Sequence, residues 1–248
     1  MHLTESASME KTQGIVIRTL KYGDSSLIVD VYTEVHGPVS FLVRVPKGRK
    51  ANVKGVLFRP MTMLELDYEH RSKASLQKIK DVRIAYAYTS IPYHPYKAAM
   101  ALFLSEFLYR VLRSEATHPS LYSYLSYSLQ WFDRSESGFS NFHILFLIRL
   151  TRFLGFYPNV EEYSEGDFFD LQNACFTSLR PFHTMYLRPE EARHIPLLMR
   201  MSYETMHRFA YAQAQRARML MVLNDYYRIH LPDFPELKSL DVLHEVFS

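Results

Sequence analysis

Residues 14–45 of this 248-residue chain read GIVIRTLKYGDSSLIVDVYTEVHGPVSFLVRV. The stretch contains three runs rich in β-branched residues, at residues 14–18, 27–33 and 39–45. Such runs favour β-strands, and the third alternates apolar with polar side chains, as a strand with one buried face does. Gly23 and Gly37 stand between the runs, where glycine accepts the positive φ of a tight turn. The stretch therefore predicts three strands joined by short turns.

Two further runs extend this pattern. Residues 62–68 alternate again, and residues 76–84 are predicted to form a fifth strand. Residues 1–12 are polar and predict a loose tail. A small open sheet of five strands would leave unpaired edges and a half-covered face. Closure into a barrel removes both, and a five-stranded barrel of this kind is the OB-fold. We predict that residues 1–87 form an OB-fold domain.

The remainder of the chain, residues 88–248, has helical periodicity. Residues 88–96 are a connector rich in Pro and Tyr, and helices are predicted at residues 97–112, 119–134, 141–154, 203–209, 213–230 and 240–247, with another beginning at Pro189. Ser140 is predicted to cap the third helix, which is apolar almost all round and is expected at the centre of a bundle. Residues 159–187 lose the period and predict a loop or small hairpin. The predicted fold class is α+β: an OB-fold barrel followed by an all-α helical bundle domain.

Positive charge is concentrated in the predicted barrel. Residues 1–80 contain thirteen Lys or Arg and eight Asp or Glu, while the whole chain has a net charge of only +3. Residues 41–60 contain six basic and no acidic residues. Flexible cations with nearby aromatic rings suit contact with phosphates and bases. The candidate residues for contact with a nucleic acid are Arg18, Lys21, Tyr22, Arg44, Lys47, Arg49, Lys50 and Lys54. The alternative is a solvated edge loop, kept charged to prevent strand pairing.

A second candidate surface lies on the third predicted helix. Arg149 and Arg152 are three residues apart, so both cations lie on one side of an otherwise apolar helix, followed by Phe153 and Phe156. Cations beside an apolar pocket suit an acidic peptide that ends in an aromatic residue. The alternative is that both arginines extend from a buried helix and pair with internal carboxylates.

Several function classes lack their usual signals. The sequence has no GxxxxGK[ST], GxGxxG, GxSxG or HExxH motif, so we predict no catalytic residues and no cofactor. The single cysteine, Cys175, excludes an intramolecular disulfide and a cysteine-rich zinc site. No apolar run approaches the length of a membrane span, which is ~18 residues or more. We expect a cytoplasmic, nucleoid-associated protein without a bound metal.

Four segments together resemble the RecO family of bacterial recombination mediators. They are residues 14–28 (GIVIRTLKYGDSSLI), residues 59–66 (RPMTMLEL), residues 103–108 (FLSEFL) and residues 146–158 (FLIRLTRFLGFYP). Their order along the chain carries the resemblance. One departure is clear: many family members have a four-cysteine zinc motif after the last segment, where this chain has only Cys175. A hairpin stabilised by Phe168, Phe169, Phe176 and Phe182 is expected there instead.

The resemblance implies a function without catalysis. It implies that the nucleic acid contacted by the candidate residues of the barrel is DNA, and that the protein binds single- and double-stranded DNA, anneals complementary strands and works with RecR. It also implies that the chain recognises the acidic, Phe-ended tail of the single-strand DNA-binding protein. The resemblance further implies that the chain helps to load RecA on DNA covered by the single-strand DNA-binding protein. The alternative is a protein–protein adaptor whose barrel docks a partner without contacting DNA.

Overall fold

The computed structural model describes residues 8–45, 55–113, 117–232, 234, 235 and 237. These residues form two compact units, the first extending to Arg134 and the second beginning at Ser135. The last predicted helix, residues 240–247, lies outside the described residues. The predicted domain boundary after residue 87 rests on sequence composition and stays a prediction.

The first unit contains a five-stranded antiparallel sheet. Its strands are β1 (Ser8–Tyr22), β2 (Ser26–Thr33), β3 (Gly37–Arg44), β4 (Met63–His70) and β5 (Lys78–Tyr86), in the order β3-β2-β1-β4-β5. All five predicted strands are confirmed. The prediction of a loose tail is wrong for residues 8–12, because β1 begins at Ser8 and pairs with β4 there, Ser8 facing His70. Polar strand residues on an exposed face carry no apolar signal that would mark them as a strand.

The sheet closes through Gln77, immediately before β5. Its main-chain N–H donates to the carbonyl oxygen of Ser40 (2.8 Å), and its carbonyl accepts from the N–H of Leu42 (3.0 Å). A parallel bridge joins Phe41 of β3 to Gln77, so the two edge strands of the sheet, β3 and β5, meet. The buried Gln77 amide also bonds the carbonyl oxygens of Arg71 and Ala74, which holds the preceding loop. The barrel is therefore closed, as the sequence predicts.

The barrel interior is filled by side chains of β1 to β4 and by Phe58, with Ile79 and Val82 of β5 partly buried against them. The core consists of Val16, Val29, Val31, Phe41, Val43, Phe58, Leu64, Leu66 and Tyr68, all at most 6 % exposed. Gly14 has a specific role, because β1 passes from β4 to β2 at this residue. A Cβ at residue 14 would lie 2.5 Å from Cγ1 of Val31, so only glycine fits without displacing the core.

Within the described residues of the first unit, two long helices follow the sheet, α1 (Pro95–Leu112) and α2 (Pro119–Arg134). Proline at the first helical position starts each of them. The predicted apolar face of α1 is buried, and its Ser105 hydroxyl donates to the carbonyl oxygen of Ile17 in β1 (2.8 Å). This bond and the packing of the apolar face attach α1 to the barrel.

The second unit contains four helices and a small sheet. The helices are α3 (Phe142–Leu154), α4 (Pro189–Ala192), α5 (His194–Arg200) and α6 (Gln213–His230). In α3, residues 142–148 are all buried, and Leu147 accepts a hydrogen bond from the Tyr227 hydroxyl of α6 (2.7 Å). Gly155, at φ 86°, ends α3. The predicted cap is wrong, because Asn141 and not Ser140 precedes the helix and makes no side-chain capping bond.

Of two further expectations about the second unit, the helix at residues 203–209 is wrong, and the small hairpin within residues 159–187 is confirmed as the antiparallel pair β6–β7. The helix predicted at residues 203–209 is only a single 3₁₀ turn, Met206–Arg208. The region 159–187 contains three short strands, β6 (Phe168–Asp170), β7 (Cys175–Thr177) and β8 (Tyr186–Leu187), in the order β7-β6-β8. Among the described helices, none is both long enough and apolar enough to span a membrane.

Candidate nucleic-acid interface

Strand register places three of the predicted DNA-binding residues at one end of the barrel sheet. Tyr22 faces Ser26 on β2, and Ser26 faces Arg44 on β3, so Tyr22, Ser26 and Arg44 form one row across the sheet. The third predicted residue, Lys21, precedes Tyr22 on β1. Tyr22 is 56 % exposed, and both Lys21 and Arg44 are exposed. Within the described residues Lys21 makes no ion pair. This end of the sheet therefore presents two cations and an aromatic ring to solvent.

The basic segment starts from the same end. The N–H of Val45, directly after β3, donates to the carbonyl oxygen of Ser25 in the β1–β2 turn (2.8 Å). The chain therefore leaves β3 beside Lys21 and Tyr22. The predicted contacts Lys47, Arg49, Lys50 and Lys54 lie outside the described residues, so their placement stays a prediction.

Arg18 lies on the same face of β1 as Tyr22, four residues earlier in the strand, and faces Asp30 on β2. Its guanidinium donates to the hydroxyl of Tyr109 on α1, and its centre is 4.4 Å from the centroid of that ring. Its other neighbour is Asp30, at 4.0 Å, and Asp30 also accepts from the Ser40 hydroxyl. These contacts hold Arg18 in one position while leaving its side chain 38 % exposed. Arg18 is thus a partly neutralised cation beside the exposed row.

A groove of about 660 Å³ between β3 and β5 adds a cation that sequence analysis missed. Arg44 lines it from β3, and Lys78 and Lys80 line it from β5. Lys78 is exposed and makes no ion pair within the described part of the chain, whereas Lys80 lies 3.6 Å from Glu69. Lys78 is distant from Arg44 in sequence, and only barrel closure brings the two strands together.

Two acidic side chains of β4, Glu65 and Glu69, pair with cations outside the exposed row. Glu65 accepts two hydrogen bonds from Arg83 (2.6 and 2.7 Å) and lies 3.4 Å from Lys11. Glu69 pairs with Arg71 at 2.6 Å. The Arg83 hydrogen bonds lower the pKa of the Glu65 carboxyl to about 2. The charges of Glu65 and Glu69 are therefore offset by these cations, whereas Lys21 and Lys78 make no ion pair within the described residues and keep their charge available to a polyanion.

Sequence analysis also missed a buried carboxylate that holds the connector after the barrel. Asp133, at the end of α2, is 1 % exposed and accepts hydrogen bonds from the N–H groups of Thr89, Ser90 and Ile91 (2.8–3.2 Å). Burial opposes ionisation of this carboxyl, but these hydrogen bonds outweigh it and lower its pKa. No spacing in the sequence connects Asp133 with residues more than forty positions away, so only the tertiary structure identifies it.

The four residues of α3 and its C-terminal end predicted to bind an acidic peptide differ in their exposure and contacts. Arg149 donates from its guanidinium to the carbonyl oxygen of Met201 (2.5 Å) and lies over the ring of Tyr203. Arg152 is exposed, and Phe153 is half-buried. Phe156 is 7 % exposed and stacks on His230, with ring centroids 4.9 Å apart. Arg152 and Phe153 therefore remain accessible, whereas Arg149 and Phe156 make internal contacts.

An apolar groove occurs elsewhere in the second unit. It has a volume of about 310 Å³ and lies between α5 and α6, with Leu198 and Met219 among its lining residues and the Arg218–Glu191 ion pair (2.6 Å) at its side. Neither Arg149 nor Arg152 lines this groove. The peptide-binding surface predicted from the two arginines is therefore separate from this apolar groove.

The sheet of β6, β7 and β8 lies within residues 159–187, the region in which Cys175 is the single cysteine. Phe169 and Phe176 pack with ring centroids 5.0 Å apart, and Phe168 meets Tyr186. The expected role of Phe182 is wrong, because its side chain is fully exposed. Burial, with nearby Asp170, raises the pKa of the Cys175 thiol, which disfavours a nucleophilic thiolate. Among the described residues no cluster of His, Cys, Asp or Glu is arranged to hold a metal ion.

The fold and its surface define a class: an OB-fold barrel with an exposed cationic face, extended by helices. Two family models match the chain, "Recombination protein O N terminal" over residues 8–88 and "Recombination protein O C terminal" over residues 93–241. The chain belongs to the recombination protein O family.

Three curated relatives, each named DNA repair protein RecO, extend this finding along the chain. The protein of Phocaeicola vulgatus is 55 % identical over 240 residues, covering 97 % of this chain and 100 % of the relative. That of Bacteroides fragilis is 53 % identical over 241 residues, with the same coverage. That of Flavobacterium psychrophilum is 34 % identical over 240 residues, covering 96 % and 99 %. The similarity therefore includes both units.

Proposed function

We propose that this protein is a DNA-repair mediator that binds single- and double-stranded DNA through its barrel and anneals complementary strands. Family membership and the names of its relatives support the role in DNA repair. One observation carries the DNA contact: the row of Tyr22, Ser26 and Arg44 lies where the chain enters a segment with four more cations. Cations neutralise phosphates of both strands, which lowers the repulsion that opposes pairing.

The proposal extends to protein partners. With RecR, the protein would help to load RecA on DNA covered by single-strand DNA-binding protein, acting without catalysis in the cytoplasm at the nucleoid. The second unit would bind the acidic, Phe-ended tail of the single-strand DNA-binding protein. The exposed Arg152 and half-buried Phe153 support this site. Arg149 would position the helix surface through its bond to Met201, and Phe156 would support it from inside.

A salt titration tests the DNA contact. Fluorescence anisotropy with a labelled single strand and a labelled duplex gives the slope of log affinity against log salt. Replacing Lys47, Arg49 and Lys50 with Ala is expected to flatten the single-strand slope by about 2, because each lost phosphate contact removes ~0.7. The rate of annealing of complementary strands is expected to fall in the same variant.

The matched control changes net charge equally. Replacing Lys11, Arg71 and Arg83, which pair with Glu65 or Glu69, is expected to leave the slope unchanged. Equal slopes in both triple variants would contradict the proposed interface. Absence of DNA binding by the unaltered protein at low salt would instead favour the adaptor alternative.

A further inference from the structure

An exposed apolar groove of about 460 Å³ lies beside the barrel, between β5, the turn before β4 and the start of α1. Its volume falls in the range of small-molecule sites, ~300–1,000 Å³. Four of its lining residues are large apolar or aromatic side chains that remain exposed: Tyr93 at 79 %, Leu102 at 50 %, Val56 at 48 % and Ile84 at 39 %. Such a concentration of exposed apolar surface marks a binding site.

The charge of the groove restricts its occupant. Arg59 is the one charged residue among those that line it, and within the described residues Arg59 is exposed and makes no ion pair. Arg59 and Val56 also follow the basic segment of residues 47–54 directly in the chain. An exposed cation beside aromatic and apolar lining residues favours a nucleic acid strand with its phosphate on Arg59 and its bases toward the groove.

Both walls of the groove are held rigidly. On one side, the buried Phe58 carbonyl accepts from the Thr19 hydroxyl (2.6 Å), and the Tyr88 hydroxyl donates to the carbonyl of Met61 (2.7 Å). Met61 has a φ of 67°, an uncommon value for a residue with a side chain. These contacts hold the turn that presents Arg59. A rigid wall loses little conformational entropy when a ligand binds.

The opposite wall depends on Asp133. Its carboxylate holds the N–H groups of Ser90 and Ile91, and the N–H of Tyr93 donates to the carbonyl of Ser90 (2.9 Å). The Tyr93 ring projects from this anchored turn into solvent. The ring of Tyr86, half-buried, lies in the same groove. An exposed ring on an anchored backbone is the arrangement that stacking on an unpaired base requires.

We infer that this groove binds unstacked bases of single-stranded nucleic acid, with Tyr93 as the stacking ring and Arg59 on the adjoining phosphate. The inference rests on the proposed function, since it assigns the single-strand path of the same barrel. Duplex DNA keeps its bases stacked, so the groove contributes to single strands alone. It therefore supplies a physical basis for distinguishing a single strand from a duplex.

The test separates bases from phosphates. Anisotropy is measured with a labelled single strand, an abasic strand of equal length and charge, and a duplex. Tyr93→Ala is expected to weaken binding of the base-bearing strand about tenfold, while leaving the abasic strand, the duplex and the salt slope unchanged. Tyr93→Phe retains the ring and is expected to bind as the unaltered protein does. Leu102→Glu, which places a charge on the part of the groove lined by α1, is expected to weaken binding of the base-bearing strand as well.

Tyr127→Ala is the matched control, because Tyr127 is 50 % exposed on α2 and does not line the groove. Equal binding of the base-bearing strand by Tyr93→Ala, Leu102→Glu and the unaltered protein would overturn the inference and leave the groove to a protein partner. Failure of the proposed function gives a different result, because the Lys47, Arg49 and Lys50 variant would then leave all three nucleic acids unaffected.

Discussion

The ammonium group of Lys97 is buried at the carboxyl end of α2, where it donates hydrogen bonds to the main-chain carbonyl of Asp133 (3.0 Å) and to that of Phe132 (2.7 Å). A cation there satisfies carbonyls that a helix end leaves without partners. Burial lowers the pKa of the Lys97 ammonium, which the nearby Asp133 carboxylate partly offsets. One end of α2 thus holds both the start of α1, through Lys97, and the connector, through its own carboxylate.

The Asp133 carboxylate is expected to be a major contributor to stability. Asp133→Ala leaves three N–H groups of the connector without their acceptor and should lower the free energy of unfolding by about 3 kcal/mol. Asp133→Asn keeps one acceptor oxygen and should cost less. The pKa of Asp133 is lowered on folding, so its contribution is full above about pH 4 and is lost as pH falls through the folded pKa.

Urea denaturation at pH 7 and at pH 3 measures this difference. Glu136→Gln is the control, because Glu136 is an exposed carboxylate. A stability loss for Asp133→Ala that is as large at pH 3 as at pH 7 would show that the carboxylate charge does not carry the effect.

Lys78 is expected to contact DNA together with Arg44, since both line the groove between β3 and β5. The double variant Arg44→Ala with Lys78→Ala should flatten the single-strand salt slope by about 1.4, as two lost phosphate contacts require. Lys11→Ala with Arg83→Ala, which removes two cations paired with Glu65, should leave the slope unchanged. Anisotropy titrations over a range of salt concentrations measure both; a flattening equal in the two would refute the placement.

The two arginines of α3 are expected to act differently. Arg152→Ala should weaken binding of an acidic peptide that ends in Phe by about 1–2 kcal/mol, because it removes an accessible cation, without changing stability. Arg149→Ala should lower the free energy of unfolding by about 1 kcal/mol, because the Met201 carbonyl loses its partner. Peptide titration calorimetry and thermal unfolding measure these effects.

The apolar groove between α5 and α6 provides the contrasting variant for that experiment. Leu198→Ala enlarges that groove without touching Arg152. A peptide affinity reduced by Leu198→Ala and unchanged by Arg152→Ala would move the tail site away from the two arginines.

We expect the purified protein to contain no stoichiometric zinc. Cysteine thiolates are preferred ligands in structural zinc sites, and the chain has a single cysteine. Elemental analysis of protein purified without chelator measures the metal content, and Cys175→Ala should leave both content and thermal stability unchanged within error. One zinc ion per chain would contradict this expectation.

Local pattern was sufficient for most elements of the fold. The alternation of residues 39–45 predicted β3, and proline at residue 119 marked the start of α2, because these signals depend on neighbours in the chain. Prediction failed where local signals were weak: residues 8–12 are polar yet form part of β1, and residues 203–209 form only a 3₁₀ turn. Phe182 is apolar yet fully exposed, since apolar character alone does not decide burial.

The sequence by itself indicated the family, the closed barrel, most of the described helices and the excess of positive charge in residues 41–60. It did not determine which cations are available. Arg83 and Lys11 are paired with Glu65, Arg18 is held by Tyr109, and Lys78 joins Arg44 across the closed barrel. The physical reason is range: strand and helix signals act over a few residues, whereas ion pairs, buried carboxylates such as Asp133 and the groove beside Tyr93 depend on residues brought together only by folding.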